Sequence, residues 1–105
     1  MILFTPRHVE MIKAGEKTQT RRVWKRPRAK VGAVHKVKTE LFSKEHHCRI
    51  RILGLRLERL ADISEEDARA EGGYTVAEYI EIWREINGVW NQDQLVYVVT
   101  FEVVR

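Results

Sequence analysis

The sequence predicts an α+β fold: a small mixed β-barrel, closed or nearly closed, with about three helices covering its ends. Three observations carry this. Strand-like segments stand at both termini, Met1–Phe4 and Gln94–Val104. One long segment between them, Cys48–Arg59, alternates apolar and charged residues and is interrupted once by Gly54. Helical signals gather in one block after it, so there is no repeated βαβ pattern of the kind a doubly wound parallel sheet requires.

Each element has its own local cause. Thr5 before Pro6 reads as an N-cap followed by proline at the first helical position. That helix places Val9 and Ile12 on one face and stops at Gly15, a left-handed cap. The chain re-enters extended structure over Lys17–Val23 and then a basic, proline-broken loop, Trp24–Lys30. Val34–Thr39 alternates as a half-buried strand does. In Cys48–Arg59 the glycine at 54 marks a bend or bulge where the register shifts. Ser64-Glu65-Glu66-Asp67 starts a helix with acids in its first turn, where the dipole favours them, and Gly72-Gly73 follow its end at Glu71. Thr75 caps a second late helix whose Val76, Tyr79, Ile80, Trp83 and Ile86 form an apolar stripe, ended by Asn87-Gly88.

The bulk numbers fit one domain over residues 1–105. The chain is 44% hydrophobic and 32% charged, the balance of a globular protein rather than a disordered one. No apolar run approaches the ~18 residues of a membrane span. The N-terminal apolar run turns polar too soon for a signal peptide, which makes a cytoplasmic location the expectation. A single cysteine, Cys48, excludes an internal disulfide and a cysteine-based metal cluster. In His46-His47-Cys48, neighbours on a strand point to opposite faces, so the run reads as a turn and a partly buried thiol, and no metal is expected. His8 and His35 read as surface or helix-face residues.

Charge is divided unevenly. Through Arg56 there are fifteen Lys/Arg against four Asp/Glu; from Leu57 onward there are four against eleven, for a net charge of +4. A basic half of this kind is the footprint of phosphate backbones, unless the two halves neutralise each other across the fold.

The densest chemistry lies in Gly15-Glu16-Lys17-Thr18-Gln19-Thr20-Arg21-Arg22. Lys17 and Thr20 fall on opposite faces of a regular strand, but a bulge or twist after Gly15 brings them to one side. A lysine that is desolvated or held among cations loses basicity and activates a hydroxyl, which makes Thr20 the nucleophile and Lys17 its base. Thr18, Arg21 and Arg22 are placed to hold phosphate or an oxyanion. A carboxylate is still needed. Glu71 is the candidate, because an acid at a helix C-terminus opposes the dipole and calls for a local reason. Lys25, Arg26, Arg28 and Lys30 read as a phosphate-contacting loop, and Trp24 as a base-stacking or core residue.

These segments resemble a known family. Met11–Arg22 is similar to the G-x-K-T-x-T-x-R signature of ASCH-domain proteins, and Ile63–Gly73 looks like their second block. The helix around Tyr79 and Trp83 and the closing strand Val98–Glu102 follow in the same order. The resemblance implies a PUA-like β-barrel related to RNA-binding modules, with RNA or a modified nucleoside as partner and no cofactor. Small members include hydrolases that deacetylate N4-acetylcytidine and others reported as ribonucleases. In the amidohydrolases a lysine, a threonine and a glutamate work together; by motif these fall on Lys17, Thr20 and Glu71. The chain departs from that group at Arg21, where an apolar residue is usual, and in its Lys25-Arg26-Pro27-Arg28 loop. Both departures lean toward a polymeric or phosphorylated ligand. Three readings result: an amidohydrolase, a metal-independent ribonuclease, and a binding module without chemistry.

Overall fold

A computed structural model describes all 105 residues. In chain order the elements are β1 (Ile2–Leu3), α1 (Pro6–Lys13), β2 (Gln19–Arg22), β3 (Val34–Lys38), β4 (Cys48–Arg59), a 3₁₀ turn (Leu60–Asp62), α2 (Glu65–Gly72), α3 (Val76–Asn87) and β5 (Leu95–Val104). The expected elements are all present, and only the 3₁₀ turn has no counterpart in the sequence reading. The strands form one sheet in the order β1-β3-β4-β5-β2, with β1 parallel to β3 and the other pairs antiparallel.

The sheet curls into a half-barrel and does not close. Its edges are β1 and β2, and no ladder joins them. Pro6 ends the extended chain after two strand residues, leaving β1 too short to offer a full edge. A side chain spans the gap instead: Arg22 Nη2 donates to the Leu3 carbonyl at 2.7 Å.

The bend at Gly54 has a direct physical consequence. The β4–β5 register shifts between Ile52 and Gly54, making Leu53 the extra residue of a bulge. Ile50 and Ile52 face the core before the shift, and Leu55 packs against the same cluster after it. The bulge therefore moves the apolar set from even to odd positions without turning the strand over.

Two cores meet at β5, whose alternate residues serve opposite faces. Val99 and Phe101 join Phe4, Val9, Ile12, Ile50 and Ile52. Val96 and Val98 join Leu60, Ala68, Tyr79 and Trp83. Of the stripe expected on α3, Tyr79 and Trp83 are buried and Ile86 is exposed. The reason is that this end of α3 borders an open cavity rather than the core.

Candidate functional site

Capping at the end of α1 sets up the site. Gly15 takes φ of 79°, and the amides of Glu16 and Lys17 both turn back to the Met11 carbonyl. Thr18 is then pinned from both sides by its backbone. Its N–H donates to Ala70 in α2 at 2.8 Å, and its carbonyl accepts from Phe101 in β5 at 3.0 Å. These bonds set Lys17 beside the end of α2. The Thr18 side chain itself is exposed and is not among the residues that line the cavity holding Lys17 and Thr20. Its place in the motif is explained by its backbone.

Lys17 is 2% exposed and its ammonium meets three acceptors: the Gln19 carbonyl at 2.9 Å, the Glu71 carbonyl at 2.9 Å and Glu71 Oε1 at 3.2 Å. Burial lowers its pKa, while the Glu71 carboxylate pulls the other way. Three acceptors account for all three ammonium protons, which describes the charged form. Glu71 is also buried, and its other oxygen, Oε2, receives Arg21 Nη1 at 2.9 Å. The acid that the dipole disfavours at the end of α2 thus lies between two cations.

Arg21, expected to hold phosphate, is already paired with carboxylates. Its side chain is fully buried, and its guanidinium binds Glu71, Glu58 at 3.1 Å and Asp67 at 3.2 Å, with Gln19 Oε1 alongside. Only Nε lacks a partner. Burial by itself would lower this group, but Glu71 and Glu58 outweigh it and raise its pKa. Arg21 points away from Thr20 because adjacent strand residues face opposite ways. Part of the basic half is therefore neutralised by the acidic half, since Arg56 also reaches Glu58 and Asp67.

On the other face of β2, Thr20 is buried and its Oγ1 accepts from Arg22 Nε at 3.1 Å. The Arg22 guanidinium lies 4.6 Å from the Phe4 ring centroid, a cation–π arrangement. No hydrogen bond joins Lys17 to Thr20, but both line one cavity of about 450 Å³ at the gap between the sheet edges. Glu71, Phe4, Arg22, Tyr79 and Trp83 share its wall. Burial, reinforced by Glu71, pushes the Tyr79 phenol well above its usual range and keeps its proton in place.

His8 is a residue the sequence reading missed. It is 8% exposed, lines the same cavity, and its Nε2 lies 3.0 Å from the Tyr74 hydroxyl. Burial lowers its pKa to about 4, helped by Lys17, Arg7 and Arg22, so the ring is neutral near pH 7. The signal was available: His8 precedes Ile12 by four residues and shares the buried stripe of α1.

The basic loop stays outside this arrangement. Lys25, Arg26, Arg28 and Lys30 are exposed, and none forms an ion pair. Trp24 is half-buried at the edge of the first core, 6.0 Å from Tyr97 between ring centroids.

The sequence matches the ASCH domain family over residues 2–105. This chain belongs to the ASCH domain family. The family is associated with RNA binding. Solved structures agree on the fold. The ASCH domain from Lactobacillus crispatus JV V101 superposes with a TM-score of 0.75 at 20% identity, covering 91% of this chain and 69% of the other. Protein EF3133 from Enterococcus faecalis V583 gives 0.67 at 21% identity, covering 93% and 70%. The hypothetical protein PH0355 gives 0.71 at 18% identity, covering 96% and 94%. A search of curated protein sequences finds no match. The ASCH assignment accounts for the mixed sheet, the three helices and the order of the two motifs. No helix is long and apolar enough to cross a membrane.

Proposed function

We propose that this ASCH-domain protein binds a modified nucleoside, free or within RNA, and hydrolyses an N-acyl amide of the N4-acetylcytidine type. The observation that carries this is the buried Lys17–Glu71 pair on the wall of the cavity that also holds Thr20. Thr20 Oγ attacks the acetyl carbonyl carbon and gives its proton to the Lys17 amine. Lys17 can accept it once one of its own protons has passed to Glu71 Oε1, 3.2 Å away. The carbon–N4 bond then breaks, Glu71 returns that proton to the departing N4, and water releases acetate from Thr20. Arg22, donating to Thr20 Oγ1, favours loss of the hydroxyl proton. A cytoplasmic location fits such a substrate.

The test is conversion of N4-acetylcytidine to cytidine by the purified protein. Thr20→Ala is expected to abolish turnover while the protein still folds. Persistent turnover in that variant would refute the nucleophile assignment.

One observation favours a second reading, binding without chemistry. Lys17 has every proton engaged and Thr20 has no base in contact, so the resting site is closed to proton transfer. A wild-type protein that binds N4-acetylcytidine saturably and never releases acetate would decide for it. For phosphoryl chemistry, Arg21 borders the cavity but its guanidinium is already engaged by three carboxylates.

A further inference from the structure

The cavity does not end where the reacting groups end. Val23, Trp83 and Asn87 line it and also line a second, smaller pocket of about 180 Å³, so the two adjoin across those side chains. Trp83 is fixed at the junction, its indole N–H donating to the Val89 carbonyl at 3.1 Å. Chemically the two pockets differ. Lys17, Arg21, Arg22 and Glu71 border the first, whereas no charged side chain borders the second. The second has three carboxamides instead, and each is tied at one end. Asn87 Nδ2 donates to the Trp83 carbonyl at 3.3 Å, and Gln94 Nε2 donates to the Leu95 carbonyl at 2.9 Å. Asn91 Oδ1 accepts from the Asp93 amide at 3.0 Å. These backbone partners fix which way round each amide lies. Asn87 Oδ1, Gln94 Oε1 and Asn91 Nδ2 are left over, two acceptors and one donor with no partner in the protein.

We propose that the second pocket is a ribose subsite. The base and its acyl group occupy the first cavity, and the 2′ and 3′ hydroxyls of the sugar occupy the second. This rests on the cavity holding a nucleoside, and it assigns the part of the nucleoside that the reacting groups do not touch. The spacing agrees. Val23 follows Thr20 by three residues, about 10 Å of extended chain, which is comparable to the reach from an N4-acyl carbon across the pyrimidine ring to the sugar hydroxyls. The chemistry agrees as well. A vicinal diol brings two O–H donors for the two free carbonyls and an oxygen to accept from Asn91 Nδ2. A phosphate brings acceptors only and would face two bare carbonyl oxygens with no cation beside them. A purely apolar group would cut the free amide ends off from water.

The test compares wild-type affinity for cytidine, 2′-deoxycytidine and 1-methylcytosine by calorimetry. None carries an acyl group, so binding is read without turnover. Cytidine should bind at least about tenfold more tightly than 1-methylcytosine, the gain expected from two or three added hydrogen bonds. Loss of the 2′ hydroxyl alone should cost about three- to tenfold. Asn91→Ala/Gln94→Ala should weaken cytidine at least about fivefold and leave 1-methylcytosine unchanged, the second measurement showing that the first cavity has kept its shape. The ribose assignment is refuted if 1-methylcytosine or 2′-deoxycytidine binds as tightly as cytidine. It is equally refuted if the double variant weakens cytidine and 1-methylcytosine alike. The cavity reading survives each of those results, whereas a wild-type protein that binds none of the three overturns both.

Discussion

Replacing Arg21 by methionine keeps an unbranched stem of similar shape and removes only the guanidinium that ties α2 to β2 and β4. The three carboxylates it binds do not suffer equally. Glu58 and Asp67 are 15% and 21% exposed at the side chain and keep Arg56 as a partner. Glu71 is 3% exposed and would keep only Lys17. The cost is then set by one deeply buried carboxylate losing a charged hydrogen bond. Breaking a buried pair from one side costs about 3–5 kcal/mol. That is a large share of the roughly 5–15 kcal/mol that stabilises a domain of this kind. In urea the unfolding midpoint should fall by about 2 M, taking a slope of about 2 kcal/mol per molar. The loss should also depend on pH. Burial would raise the Asp67 carboxyl, but Gln19, Arg21, Ser64 and Arg56 together hold it below its usual value. A carboxyl depressed by folding stabilises above its unfolded pKa, and that contribution disappears as pH falls through the folded value. The Asp67 share of the difference between wild type and Arg21→Met should accordingly disappear as the pH drops below about 4, so the gap narrows. A midpoint shift at pH 7 under about 0.5 M, or a gap that widens on acidification, would refute the clamp as described.

His8 predicts a pH effect of its own. A histidine lowered from 6.5 to about 4 stabilises the fold fully above pH 6.5 and loses that stabilisation between pH 6.5 and about 4. The effect is at most about 3 kcal/mol, and His8→Phe should flatten this part of the stability–pH curve measured by urea unfolding. Gly72→Ala should lower the melting temperature by about 5–10 °C. A Cβ there would sit 2.7 Å from the Tyr74 ring and 3.0 Å from Met11 Sδ, overpacking worth about 1–3 kcal/mol. Gly73→Ala meets no atom within 4 Å and strains only its φ of 78°, so calorimetry should show a smaller loss of about 1–2 kcal/mol.

The clamp also bears on the proposed chemistry. An apolar residue at position 21 would leave Glu71 with a single cation and make proton exchange with Lys17 easier. Arg21 holds the carboxylate in a fixed place on the cavity wall, a geometry suited to recognition as much as to turnover. The measured fate of N4-acetylcytidine therefore bears on Arg21 as directly as on Thr20.

Local chemistry made much of the fold legible in the sequence. Thr5-Pro6, Ser64 and Thr75 start helices by capping, and the structure shows each hydroxyl accepting from a backbone amide three residues on. The alternation in Cys48–Arg59 defined a strand with those boundaries, and Gly54 marked its bulge. Glu71 was legible too, because an acid against a helix dipole is a local anomaly that asks for a partner.

What the sequence could not settle was which cation meets which anion. Lys17, Arg21, Arg22 and the loop cations look alike in a sequence, and pairing energies depend on distance and burial that only chain crossings create. A backbone bond from Thr18 to Ala70 delivers Lys17 to Glu71, and strand alternation sends Arg21 into carboxylates while Arg22 turns to the cavity. The open edge between β1 and β2 has the same origin, since Pro6 fixed where β1 ends but only the curl of the sheet set how far away β2 would lie. Capping and periodicity act within a few residues and are written in the chain itself. Ion pairing and cavity shape act between segments some fifty residues apart, and the tertiary structure alone decided them.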